Sequence, residues 1–186
     1  MASDRTLLII DIQRDYFPGG AYPLVEPEAA AESARRVLES FREAGDPVIH
    51  MKHVWDAPEA EFMRPGTEGV EIHPAVAPAD GELVLEKKSP NSFIDTPLDR
   101  ELRERDPDQL VVAGMMSSMC VDATVRAAAD LGFSATVVHD ACAAPDLQFD
   151  GVDVPGAAVH AAFMATLADG YAEVTSAAEL LAGDGD

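Results

Sequence analysis

Three side chains of complementary chemistry fall where apolar runs of the sequence end. Asp11 follows Leu7-Leu8-Ile9-Ile10, Lys87 or Lys88 follows Leu83-Val84-Leu85, and Cys120 lies just beyond Leu110-Val111-Val112-Ala113-Gly114. A thiol, a carboxylate that can take its proton and an ammonium that can balance the charge form a set suited to nucleophilic catalysis. Each group alone has an ordinary explanation. An aspartate at a strand end is often a turn former, paired lysines are usually solvated, and a cysteine at a helix start is more often a small buried hydrophobe. Arrival from three separate runs at one edge shifts the balance toward catalysis. If Cys120 opens a helix, free backbone N–H groups there lower its pKa and can stabilise an oxyanion beside the sulfur. Cys142, between Ala141 and Ala143 with no helix start after it, reads as structural.

The elements that must position these groups follow from periodicity. Residues 7–11, 47–51, 83–85, 110–114, 135–140 and 171–174 are apolar runs of strand length. Between them, residues 28–44 repeat Ala30, Ala34, Val37, Leu38 and Phe41 at three- and four-residue spacings, with Gly45 as a stop. Helices are also expected over 96–104 (with Pro97 at its first position), 120–131, 155–168 and 176–181. Strands alternating with helices imply crossover connections and a mostly parallel sheet, hence a three-layer α/β/α, Rossmann-like fold. In such sheets ligands bind at the carboxyl ends of the strands, where all three candidate groups fall. The stretch 55–80, rich in Pro, Gly and acids, reads as a functional loop or lid. No linker or repeat divides the chain, so residues 1–182 are expected to form one domain and 183–186 a frayed tail.

Composition excludes several classes. The 186 residues carry 13 Lys plus Arg against 34 Asp plus Glu, a formal charge of −21. That leaves no basic stripe for nucleic acid or for an anionic membrane surface. No apolar run approaches the ~20 residues of a spanning helix. The first residues lack a basic segment, a long apolar segment and a cleavage site, and two cysteines make no disulfide framework. The expectation is a soluble cytoplasmic protein acting on a small molecule.

Beyond these readings, the sequence resembles the isochorismatase-like superfamily of cysteine hydrolases over nearly its whole length. The resemblance rests on Leu8-Ile9-Ile10-Asp11-Ile12-Gln13 with Phe17, on Phe62-Met63-Arg64-Pro65-Gly66-Thr67, and on Lys87 six residues before Phe93 in Ser92-Phe93-Ile94-Asp95-Thr96-Pro97-Leu98. It extends through Gly114 to Thr124 around Cys120 and through Asp140-Ala141-Cys142-Ala143.

The resemblance implies a six-stranded sheet of order 3-2-1-4-5-6 and a triad of Asp11, Lys87 and Cys120. It selects Lys87 over Lys88, places oxyanion donors at the backbone N–H groups of Met116 and Cys120, and implies a cis Met115–Met116 peptide. Gln13, Phe17, Trp55, Phe62, Phe93, Met115 and Met116 become candidate substrate-binding residues, and a homo-oligomer, dimer or tetramer, is implied. The expected reaction is hydrolysis of a small amide or ureide, with vinyl-ether hydrolysis or binding without turnover as alternatives.

Nicotinamidases in this superfamily carry a metal held by an Asp-x-His phrase after the second strand. Here that region reads His50-Met51-Lys52-His53, with His73 further on, so no metal and no cofactor are expected. A dinucleotide-binding domain would need a Gly-rich turn after the first strand, and none is present. A phosphatase with an aspartate nucleophile would need a second acid where Gln13 stands.

Overall fold

A computed structural model describes residues 5–183. In chain order the elements are β1 (Arg5–Ile10), α1 (Pro27–Ala44), β2 (Val48–His53), β3 (Leu83–Lys87), α2 (Leu98–Arg105), β4 (Gln109–Met115), α3 (Asp122–Asp130) and β5 (Ala135–Ala143). They continue with β6 (Leu147–Phe149), β7 (Val152–Val154), α4 (Gly156–Gly170), β8 (Glu173–Thr175) and α5 (Ala177–Gly183). Six strands form one sheet in the order β3-β2-β1-β4-β5-β8, and every neighbouring pair in it is parallel.

Alternation along β1 divides the interior in two. Leu7 and Ile9 enter a core with Val37, Leu38 and Phe41 of α1 and Ala177 of α5. Leu8 and Ile10 enter the opposite core, with Leu98 and Leu102 of α2, Val125 of α3 and Leu167 of α4. Both faces of the sheet are therefore covered, which is why its central strands read as continuous apolar runs. At Gly114, β4 runs so close to β1 that a Cβ would lie 2.2 Å from the Ile10 carbonyl oxygen, so only glycine fits.

The fold and its strand order are those expected from the sequence, with the expected sixth strand appearing as β8. Several boundaries differ. β5 continues past Asp140 to Ala143, through an irregularity in its pairing with β4 between Val112 and Gly114. Pro97 is the cap before α2 rather than its first residue. The antiparallel pair β6–β7, turning at Asp150-Gly151, was not anticipated. Gly183 ends α5, while 184–186 of the expected tail, and residues 1–4, lie outside the described residues. Among the described residues no helix is long and apolar enough to cross a membrane.

Candidate active site

Parallel register brings the catalytic candidates together. Ile10 stands level with Met51 on β2, and Met51 with Leu85 on β3, so the three strands end side by side. Asp11 follows immediately with a left-handed backbone (φ 50°), a conformation that aspartate tolerates better than most residues. Lys87, two residues beyond Leu85, shares its face and so points inward. Its ammonium lies 2.7 Å from Asp11 Oδ2, and both side chains are fully shielded from solvent. Lys88 turns outward to the cavity mouth, 3.7 Å from Asp56 and largely exposed.

Lys87 Nζ also donates to the carbonyls of Ser89 (3.0 Å) and Pro90 (3.3 Å) and to His53 Nδ1 (2.9 Å). Burial alone would lower its pKa, but Asp11 and Cys120 more than offset this and raise it, so the ammonium stays charged. His53 is pushed the other way, first by burial and then by Lys87, and remains a neutral imidazole. Among the described residues, Asp11 receives no hydrogen bond from another protein group that would compete with Lys87 and the thiol.

Cys120 does not open a regular helix. It lies within a wide π-type turn, Ser117–Val121, that precedes α3 and is closed on the Met116 carbonyl by the N–H groups of Met119 (3.0 Å) and Val121 (3.2 Å). The thiol is 4% exposed and within hydrogen-bonding range of Asp11 and Lys87. The expected depression of its pKa is not found. Burial pushes the thiol well up, Asp11 adds to this, and Lys87 only partly opposes it. The resting site is therefore a neutral thiol beside an ion pair, not a thiolate. The Met115–Met116 peptide is cis.

A cavity of about 490 Å³ opens above Cys120, walled by Tyr16, Tyr22, Trp55, Phe62, Met116 and Phe163. Trp55, Phe62 and Met116 thus lie where the sequence reading put them. The other candidates do not line this cavity. Phe17 turns away from its neighbour Tyr16 to stack on His73, with ring centroids 3.8 Å apart. Phe93 faces Phe133, and Met115 is sealed in the core. Gln13 is a fully buried brace: its amide donates to the carbonyls of His53 (2.9 Å) and Val70 (2.6 Å) and accepts from the His53 N–H (2.8 Å). It thereby fastens the 55–80 segment to the end of β2. Asp15 holds the same segment by accepting from the Met63 N–H (2.6 Å).

His53, Tyr16, Tyr22 and Phe163 were missed from sequence. His53 was weighed only as a metal ligand, although its place at the end of β2 beside β3 is legible from strand register. Tyr22 and Phe163 come from loop and helix positions that only tertiary structure brings together. As a metal site the cluster fits poorly. Donor atoms of Asp11, His53 and Cys120 lie within 4.8 Å of one another, but the Lys87 ammonium already contacts Asp11 and His53. A divalent ion there would face that charge at close range. Lys52, at the position of the expected metal phrase, pairs with Glu71 at 3.0 Å.

Comparison with known proteins matches residues 5–179 to the profile described as Isochorismatase domain. The isochorismatase family protein YddQ of Bacillus subtilis (strain 168), itself uncharacterized, is 50% identical over 168 residues, covering 90% of this chain and 93% of that one. The solved structure of an isochorismatase-type hydrolase from Oleispira antarctica superposes with a TM-score of 0.94 at 48% identity, covering 98% of each chain. N-carbamoylsarcosine amidase from Thermoplasma acidophilum superposes with a TM-score of 0.77 at 27% identity, covering 94% of this chain and 96% of that one.

Proposed function

Because the chain belongs to the isochorismatase family of hydrolases, we propose that it cleaves the C–N bond of a small amide or ureide through a thioester on Cys120. The observation that supports this most is the buried Asp11–Lys87 pair with the Cys120 thiol beside it. In this reading Asp11 takes the thiol proton as sulfur attacks the carbonyl carbon. Lys87 stabilises the thiolate as it forms, and the backbone N–H groups of Met116 and Cys120 receive the oxyanion. The C–N bond then breaks and Asp11 returns the proton to the departing nitrogen. Water next adds to the thioester, giving up a proton to Asp11. Collapse breaks the C–S bond, releases the acid and restores the thiol. Atoms and charges balance without a redox partner, and no step runs through a metal.

The neutral resting thiol agrees with this order, since the proton leaves sulfur only when the carbonyl is in place to accept the electron pair. The apolar cavity favours an uncharged substrate, and His53 positions Lys87. A homo-oligomer remains part of the proposal, on the resemblance alone.

A panel of amides and N-carbamoyl compounds assayed for ammonia or amine release tests the reaction. We expect turnover by the wild type, an acyl adduct on Cys120 in intact-mass spectra, and none of either with Cys120→Ala. Exhaustive chelation should leave the rate unchanged. Near-normal turnover by Cys120→Ala overturns the nucleophile, and turnover of a vinyl ether by that variant with no amide cleaved would transfer the site to the vinyl-ether reading.

A further inference from the structure

Tyr16 lies on the short 3₁₀ turn Arg14–Tyr16 that follows the Asp11 strand end, and it is 1% exposed. Its ring packs against Phe62, with centroids 6.0 Å apart, and forms part of the wall over Cys120. Its backbone is fully engaged, the N–H with the Gln13 carbonyl and the carbonyl with the Leu24 N–H. Its hydroxyl, by contrast, is bonded to no described residue and is not one of the sealed, unpaired polar atoms of the interior, which leaves it bordering the cavity. A phenol that borders a cavity can exchange water for an acceptor on a ligand, and a ligand that displaces the water without offering an acceptor leaves the hydroxyl unpaired.

The other polar groups around the cavity are differently placed. His53 Nδ1 is committed to Lys87, and Lys88 is solvated beside Asp56. Ser118 Oγ is also unpaired, but that residue sits next to exposed Met119 on the turn that carries the nucleophile. Tyr22, the other phenol on this wall, is only half-buried, whereas Tyr16 joins a deeply buried mounting to a hydroxyl that lacks a protein partner.

We propose that the Tyr16 hydroxyl is a specificity-determining group of the site, donating a hydrogen bond to an acceptor atom on the acyl part of an uncharged substrate. Burial and the nearby Cys120 and Asp11 raise its pKa, so it stays a phenol and a donor throughout the working pH range. A substrate carrying an ether, carbonyl or ring-nitrogen acceptor at the matching distance satisfies the hydroxyl, whereas an isostere with a methylene there leaves it unpaired. The Phe62 contact fixes the ring, so the hydroxyl selects the position of the acceptor as well as its presence.

The inference takes the location of the acyl group from the amide-hydrolase reading, and its test is independent of turnover. Binding of the ortho, meta and para isomers of methoxybenzamide and of ethylbenzamide is measured by calorimetry on the full chain carrying Cys120→Ala. At one ring position the methoxy compound should bind at least about tenfold more tightly than its ethyl isostere, the scale of one buried hydrogen bond made or lost. Adding Tyr16→Phe, which keeps the ring, should bring that ratio to within about twofold, whereas adding Ser118→Ala should preserve it. Equal ratios at all three positions, no binding by any of the six, or a collapse with Ser118→Ala and not Tyr16→Phe would overturn the proposal. If the wild type cleaves no amide while the Tyr16-dependent ratio persists, the reaction assignment falls and this inference stands.

Discussion

At the scale of single residues the site depends on charge compensation in a dry place. Removing Lys87 leaves the Asp11 carboxylate buried without its counter-ion, a change that in buried pairs costs about 3–5 kcal/mol. We expect Lys87→Ala to lower kcat at least ~100-fold, the scale of a lost acid–base arrangement, in steady-state assays on one substrate. Lys88→Ala should keep kcat within about twofold, because its ammonium is solvated. If Lys88→Ala were instead the inactive form, the inward placement of Lys87 would be wrong. The raised thiol pKa carries its own expectation. Iodoacetamide labelling of Cys120 should keep accelerating as pH rises through 9, the ordinary thiol value, with no plateau near neutrality. A neutral plateau would mean a resting thiolate. Asp11, one of the lysines 87 and 88, and Cys120 were legible as candidates because each follows an apolar run, and the resemblance selected Lys87, but the mutual effect of the three groups was not. The sequence reading credited a helix start with lowering the thiol pKa, whereas burial dominates, and burial is a property of the folded whole.

Among the elements, the regular ones could be read because their apolar period is strong. Those missed are short or irregular. β6 and β7 have three residues each, yet Asp150-Gly151 between Phe149 and Val152 is a recognised hairpin signal, with positive φ at both turn residues (49° and 77°). The loop between β2 and β3 has no period to read, and its order comes from single anchors. Gln13 and Asp15 provide two, and Glu82 a third. The Glu82 carboxylate accepts from Arg42 of α1 (2.6 and 2.8 Å), from His50 of β2 (2.9 Å) and from the Ala79 N–H (2.8 Å). Burial pushes this carboxyl up, but Arg42, the Ala79 N–H and His50 outweigh it and hold the pKa at about 2. A depressed carboxylate pKa stabilises the fold above the unfolded value of 4.5, and that stability is lost as pH falls toward about 2. Glu82→Gln should therefore lower Tm at pH 7, with the gap from wild type closing between about pH 4.5 and pH 2. A gap independent of pH in thermal melts would assign Glu82 a packing role alone.

For the molecule as a whole, the excess of 34 acidic over 13 basic residues means self-repulsion in the folded state. Salt screens it over roughly 8–10 Å at moderate ionic strength, so Tm should rise as sodium chloride is added up to about 0.5 M. A flat or falling Tm would show that the surface acids are already neutralised by their neighbours. The same field bears on the buried ion pair. Asp11, Lys87 and the Cys120 thiol together carry no net charge, and passing a proton from sulfur to Asp11 leaves that sum unchanged. On the proposed reaction, a neutral amide is the acyl donor, and the acid released ionises to a carboxylate as it leaves the cavity. The enzyme then acts as a one-way electrostatic valve, indifferent to the molecule that enters and repulsive to the anion it makes. Product inhibition should accordingly be weak at low ionic strength and strengthen as salt is raised, because screening removes the repulsion that clears the site. An inhibition constant for the product acid that weakens with salt would mean that a local cation, such as Lys88 on the cavity wall, retains the anion against the field of the whole molecule.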